Sequence, residues 1–494
     1  MNELKYNKTT FNHHQITLLR WGATSSVAEL PAPRGVRVID YCSRQLPWVE
    51  NTIDNIMWKK QEEYADYMHF MAIGVFEAMT PCYELNRQPE LLAHLRSRNF
   101  TLGILDPHGY PCAWATMNHL SLPYITVSPS VTVYYLEKAA ATPTPLSYAP
   151  SIIDGQQDKM TLLERLKNVF DHILFTSSSF WTLVEALIGR LFKIYTDTRH
   201  RPLMVMFLAE KFMEFARPET LTLINMGLKD RIREPVQDEL VQTQLPDFES
   251  SAAVNLTESD SSSVPSAPNF TASLYNNRTA TVVFSLTTLG KTERMSEEMK
   301  QAFSATFSKF QNVRFIWRTM STPTNGSFDA DNNVQFVRWF NQTNVFADSH
   351  TKLLITHGGI ASVLEAVRHG VPILAMPMGM DHHGNIGRVV KHGVGLRITK
   401  RELNSDKLTE MVSEMLDNPV YSARAHKIAA MQDHEQECLL DDPLLWHTEY
   451  AARHGQKLDR LKAHGELMPF YRYFHVDILA TVVLSLTVLC SIVG

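Results

Sequence analysis

Residues Leu353 to Ala375 constrain the fold of this chain more than any other stretch. LLITHGGIASVLEAVRHGVPILA reads as a strand, a glycine turn, a helix and a second strand. Leu353-Leu354-Ile355 is a short apolar run that ends in His357-Gly358-Gly359. Ile360, Val363, Leu364 and Val367 then recur at i, i+3, i+4 and i+7, the spacing of one buried helix face. Gly370 supplies the stop, and Val371 to Ala375 opens the next strand. Two glycines between a strand and a helix let backbone N–H groups approach an anion, and the helix N-terminus adds its partial positive charge. This turn is a candidate phosphate cradle.

The surrounding residues say which phosphate it would take. Trp339 lies 18 positions before His357, Gln342 follows three residues after Trp339, and Glu365 falls on the polar side of the helix. An indole can stack on a base, a carboxylate can hold two ribose hydroxyls, and His357 with Ser362 can meet a diphosphate. Asp381 and His382 follow the second strand, where a hydroxyl-rich sugar would lie. Each part alone has an ordinary reading: a tight turn, a core aromatic, a solvated glutamate. Their joint order and spacing rarely arise by chance.

Here the chain resembles the UDP-glycosyltransferases, in particular the animal UDP-glucuronosyltransferase type. The signature W-x-P-Q, T-H-G-G, Ser, E-A, G-x-P and D-Q…N is matched at Trp339, Gln342, Thr356, His357, Gly358, Gly359, Glu365, Ala366, Gly370, Pro372, Asp381 and Asn385. Residues Phe284–Arg318, Pro145–Phe170 and His447–Gly455 also look like family segments. The resemblance implies two doubly wound, Rossmann-like α/β domains facing across a cleft (the GT-B type). UDP-sugar would lie on the second domain and a small lipophilic acceptor on the first, with a C-terminal transmembrane helix and an endoplasmic-reticulum location. It implies no metal and no cofactor beyond the donor, and it leaves a homo-oligomer open.

Composition agrees with a folded two-domain protein. A length of 494 residues exceeds one core, while 44% hydrophobic and 20% charged residues are ordinary for a globular chain. A net charge of −5 without a Lys/Arg-rich block argues against nucleic acid. Five cysteines show no CxxC spacing, so neither a disulfide framework nor a zinc site is indicated; a Cys82–Cys112 bridge and two buried thiols are the alternatives for that pair. Apolar runs at Ile16–Leu19, Val36–Ile39, Leu102–Leu105 and Tyr124–Val127 predict strands of a parallel sheet in residues 1–227. Residues 228–279 are a polar linker or insertion, too poor in apolar side chains to order themselves. A second alternation of strands and helices fills 280–440, and 441–475 is a closing helix with a membrane-proximal segment. In 476–494, Ile478 to Val493 is uncharged; sixteen such residues span about 24 Å, against about 30 Å of hydrocarbon, with an aromatic cluster ahead of them.

Met1–Phe11 carries no apolar leader, and His14-Gln15-Ile16-Thr17-Leu18-Leu19 looks like a family segment that leads into the second strand. The resemblance then implies an incomplete or alternatively spliced product without the loop that bears the family's catalytic His. Asp106, after the run Leu102–Leu105, matches the carboxylate that orients that base; its other reading is a turn former before Pro107. His13, His14 and His108 have no assigned role in proton transfer, so UDP-sugar binding is expected to outlast turnover. Asn341 stands for the family's Pro and is expected to loosen the loop bearing Gln342. Thr287 stands for a turn glycine, leaving Thr288 or Ser285 to donate a hydroxyl. His382 stands for Gln, and His383 beside it has no evident role. Of seven N-x-S/T sequons, Asn255, Asn269 and Asn277 fall in the polar insertion, and Asn341 should stay bare.

Three rival readings remain. A metal-dependent glycosyltransferase would use Asp329-Ala330-Asp331. A UDP-sugar-binding or interaction protein would bind without turnover. A dinucleotide-dependent dehydrogenase would need a G-x-G-x-x-G that the chain lacks.

Overall fold

The computed structural model describes residues 17–23, 37–43, 55–59, 88–106, 112–128, 134–176, 202–226, 279–286, 292–319, 333–337, 340–438, 443–455 and 476–493, apart from positions 141, 143, 153, 154, 208, 219 and 380. Contacts divide the chain into two compact units. One takes Met1–Ile53, Glu63–Gly227 and Leu439–Gly494; the other takes Asp54–Glu62 and Leu228–Cys438. Every pairing between the strands named below is parallel.

In the first unit β1 (Thr17–Ala23) pairs with β2 (Arg37–Ser43). A separate four-stranded sheet runs in the order β3 (Gly103–Leu105), β4 (Tyr124–Ser128), β5 (Val205–Phe207), β6 (Leu223–Asn225). The four predicted apolar runs fall on β1 to β4. Strands β5 and β6 have three residues each, too few for a periodicity to show. Tyr124, Ile125, Thr126 and the whole of β5 are buried, which is why these strands carry apolar side chains on both faces rather than alternating. The helices α1 (Pro89–Ser97), α2 (Cys112–Leu120), α3 (Tyr134–Ala139) and α4 (Leu162–Thr176) lie between the strands in sequence.

The second unit contains β7 (Ala280–Ser285), α5 (Glu297–Phe307), β8 (Val313–Arg318), β9 (Val334–Val337), α6 (Gln342–Phe346), β10 (Thr351–Thr356), α7 (Ile360–Arg368), β11 (Ile373–Ala375), α8 (His382–Lys391), β12 (Gly395–Arg397), α9 (Ser405–Asp417) and α10 (Val420–Cys438). Its six strands lie in the order β12-β11-β10-β7-β8-β9. The chain therefore starts mid-sheet, winds to one edge, then returns to build the other half. Loops leaving β7 and β10 part in opposite directions, and such a switch point is where a doubly wound sheet opens a crevice beyond its strand ends. Thr356 of β10 pairs with Ser285 of β7, so His357 emerges at that point.

Aromatic packing fixes the neighbouring strands. Phe284, Phe303, Phe307, Phe315 and Trp317 are buried, with Trp317 edge-on to Phe284 at 4.3 Å and Phe307 stacked on Phe315 at 4.0 Å. Each such side chain contributes roughly 1.5–3 kcal/mol by leaving water. Ser296 caps α5, its hydroxyl accepting from the Met299 N–H at 3.3 Å. Residues 54–62, inside the 1–227 span of the sequence reading, count with this unit: Met57 and Trp58 are buried, and Lys400 Nζ donates to the Met57 carbonyl at 2.8 Å.

The last elements return to the first unit. In α11 (Pro443–His454), Tyr450 and Ala451 pack with Ile125, Leu203, Met204 and Met206. The chain ends in α12 (Val476–Val493), whose apolar side chains from Ile478 to Val488 are exposed. Among the described residues no helix is long and apolar enough to cross a membrane, so the transmembrane helix expected at 476–494 is left without structural support. The 18 residues of α12 rise about 27 Å, against a hydrocarbon core of about 30 Å. The polar insertion up to residue 278, Cys82, His13, His14, His108, Asp329 and Asp331 lie outside the described residues.

Candidate functional site

The site is built from the end of β10. Leu353, Leu354, Ile355 and Thr356 are buried, so this strand is held from both sides and delivers the next three residues to a fixed place. Gly358 has φ +90°, and a Cβ there would stand 2.7 Å from Ile386 Cγ1. Both facts demand glycine. Gly359 is the N-cap of α7 with no side-chain cap, and a Cβ on it would stand 2.6 Å from His357 Nε2. The imidazole of His357 is thus folded over the start of the helix. The amides of the first turn have no acceptor within the helix, and the helix dipole adds positive potential beneath the ring. That combination suits an anion.

Three neighbours set the charge of His357. Burial holds its pKa well below the ordinary value; the nearby His382 and the Arg318 guanidinium push the same way, and a hydrogen bond to the Ser285 backbone opposes them. His382 stands edge-on to it, with ring centroids 4.5 Å apart and planes at 87°. The cradle therefore holds a neutral imidazole near the partly buried Arg318 guanidinium, and an incoming diphosphate would favour its protonation.

Helix α8 locks the turn from behind. Asn385 is buried, and its Nδ2 donates to the Gly358 carbonyl and to Asp381 Oδ2, each at 3.0 Å. Asp381 itself is partly exposed at the start of the helix. His383 is buried with Nδ1 3.4 Å from Arg397 Nη2, which supplies the contact that its sequence position did not reveal.

Gln342 and Glu365 form the other side. Nε2 of Gln342 donates to Glu365 Oε2 at 3.0 Å, joining α6 to α7. Burial raises the Glu365 pKa to about 7, against the hydrogen bond from Gln342, which lowers it. Asn341 does not loosen this segment. It is the N-cap of α6, its Oδ1 accepting from the Asn344 N–H at 3.2 Å, and so it fixes the residue that bears the Gln342 amide.

His357, Gly358, Gly359, Ser362, Glu365, Gln342, Asp381 and His382 all sit at β10, α7 and the facing ends of α6 and α8, with Ser362 partly exposed on the first turn of α7. Trp339 and Thr288 lie outside the described residues. Asp106 directly follows β3 in the first unit and is partly buried. Arg318 and Ser285 were not singled out from the sequence. A cation ending the buried run Phe315-Ile316-Trp317 is the signal that could have found the first, and the parallel register with Thr356 explains the second.

A sequence model described as "UDP-glucoronosyl and UDP-glucosyl transferase" matches residues 39–494. The chain belongs to this family. Mouse UDP-glucuronosyltransferase 2A3 is 25% identical over 455 residues, covering 90% of this chain and 77% of that protein. Rat UDP-glucuronosyltransferase 2B15 is 25% identical over 459 residues, covering 89% and 74%. A shorter match, 29% over 212 residues, joins 43% of the chain to 40% of UDP-glucosyltransferase 2 of Dactylopius coccus. Among solved structures, the calicheamicin glycosyltransferase CalG4 superposes with a TM-score of 0.52 at 13% identity, covering 90% of this chain and 92% of that one. The kitacinnamycin glycosyltransferase gives 0.51 at 15%, covering 86% and 89%. The fold is the GT-B glycosyltransferase fold with parallel α/β sheets, and this family member is a glycosyltransferase. A binding protein without turnover is not the reading these relatives favour.

Proposed function

We propose that the chain transfers a sugar, glucuronic acid or a hexose, from its UDP donor to a hydroxyl of a small lipophilic acceptor, with inversion at the anomeric carbon. The observation that carries this is the His357 ring folded over Gly359 at the uncapped start of α7. The diphosphate would meet these amides, the imidazole and the hydroxyls of Ser362 and Thr288. Glu365, oriented by Gln342, would hold the ribose hydroxyls, and Trp339 would cover the uracil. Asp381 and His382 would face the sugar.

In this reading UDP departs against donors already in place, so the charge developing on its phosphate is met without reorganisation. Asp106 would orient and neutralise the base that takes the acceptor proton. No metal or further cofactor is required. Anchorage through α12 in the endoplasmic-reticulum membrane belongs to the same proposal, supported by its exposed apolar side chains. The test is product mass after incubation with UDP-glucuronic acid, UDP-glucose or UDP-galactose and phenolic acceptors. A conjugate with one donor, lost in Asp106→Asn while donor binding stays, is the expected result. Donor binding without any conjugate would overturn transfer.

A further inference from the structure

Two adjacent imidazoles at the start of α8 meet different strands. His382 stands edge-on to His357 just after β10, with ring centroids 4.5 Å apart. His383 reaches the end of β12 instead, its Nδ1 lying 3.4 Å from Arg397 Nη2. Both residues are 8% exposed. A guanidinium carries only donors, so Nδ1 of His383 accepts and the ring proton sits on Nε2. Thr356 of β10, Ala375 of β11 and Arg397 of β12 stand in one row across the sheet. The first turn of α8 therefore bridges from β10 to β12, over the end of β11.

That turn is weak by itself. Asp381 precedes it without a side-chain cap, and Gly384 and Gly387 stand within the ten residues of the helix. Glycine is the poorest helix former after proline. Contacts with the rest of the unit must therefore fix how α8 is rolled about its own axis. Asn385 supplies one, through the Gly358 carbonyl and Asp381. At about 100° per residue, His383 lies roughly 160° from Asn385, on the opposite side of the helix. A helix pinned on one side can pivot about that pin; pinned on both, it cannot. His382 falls between the two pins, so the His383–Arg397 contact sets where its ring and the Asp381 carboxylate stand.

We propose that His383 is a positioning residue: Arg397 holds its ring, and the pair aligns Asp381 and His382 with the sugar of the donor. The inference rests on the reading that puts UDP at β10 and α7 and the sugar at Asp381 and His382. Nucleotide contacts in that reading belong to α6, α7 and the end of β10, so losing the pair should separate the two parts of the ligand. The test is calorimetric titration of UDP, UDP-glucose and UDP-glucuronic acid into the full chain and into His383→Ala, His383→Gln and Arg397→Met. His383→Ala and Arg397→Met should each weaken the better-bound UDP-sugar about tenfold, the worth of one or two misdirected hydrogen bonds, and leave UDP within about twofold. His383→Gln keeps an oxygen that accepts from Arg397 and should restore most of the loss. Combining His383→Ala with Arg397→Met should be no worse than either alone. The contact is read from both residues, so a variant lost to misfolding leaves the other to decide. UDP and UDP-sugar weakened together would mark a merely structural contact and overturn the proposal. So would an unchanged UDP-sugar affinity, or a glutamine variant no better than alanine. A parent chain that binds neither UDP nor a UDP-sugar would overturn the site reading itself, and this proposal with it.

Discussion

The side-chain amide of Asn385 donates to the Gly358 carbonyl at 3.0 Å, so helix α8 holds the glycine turn through which β10 enters α7. The same amide reaches Asp381, and the two contacts tie the turn to the residue proposed to face the sugar. Asn385→Ala should cost about 1–3 kcal/mol of stability, because a buried carbonyl loses its donor. It should weaken UDP binding as well. Thermal unfolding and a UDP titration on the same protein check both.

Gly358→Ala should act through the backbone. With φ +90° and Ile386 where its Cβ would go, alanine forces either the dihedral or the packing to yield. The expected loss is about 1–3 kcal/mol, with UDP affinity falling alongside. An alanine variant that melts with the parent and binds equally would show that the turn tolerates another shape.

The pKa of about 7 at Glu365 predicts a pH dependence of nucleotide binding. A carboxylate accepts two ribose hydroxyls; the acid form gives up one acceptor to its own proton. Only the ionised fraction is competent, so affinity should fall about tenfold between pH 8 and pH 6. Titration of UDP at both values, in the parent and in Glu365→Gln, separates this from the ligand's own ionisation. The Gln variant should bind weakly at both values, with that slope removed.

His172 on α4 predicts acid sensitivity in the first unit. Burial pulls its pKa to about 4 from the ordinary 6.5. A depressed folded value means the unfolded chain binds the proton first, so stability is lost as pH falls below 6.5 and the loss is complete near 4. Between pH 7 and pH 5 that amounts to about 1–2 kcal/mol. His172→Gln should flatten this part of the pH profile of unfolding.

The second unit was legible because its core strand and helix each carry an unmixed signal. Leu353 to Ile355 is buried on both faces and reads as one apolar run, while Ile360, Val363, Leu364 and Val367 keep strict helical spacing. Helix α8 hides its role: His382, His383, Asn385 and Arg388 are buried although polar, since the helix packs them against the glycine turn and β12. Asn341 misled for a related reason. Replacing a proline suggested a looser loop, yet an asparagine side chain at that place caps the helix that follows. Arg318 was silent because a lone cation at a strand end resembles a solvated one until the neighbouring strands are in register. Nor did α4 declare its orientation. An amphipathic pattern ordinarily turns its apolar face inward, yet Leu162, Leu163, Leu166 and Phe170 are exposed and three hydrogen bonds of the buried Asn168 hold the other face.

The central claim is that His357, Gly358 and the start of α7 grip a uridine diphosphate. Calorimetric titration of UDP into the full chain and into His357→Ala, at pH 7.5 and equal salt, tests it most directly. The account predicts saturable binding at one site, weakened about 10–100-fold by the substitution, the worth of a charge-assisted hydrogen bond. No heat with the parent chain, or equal affinity in both, would contradict it.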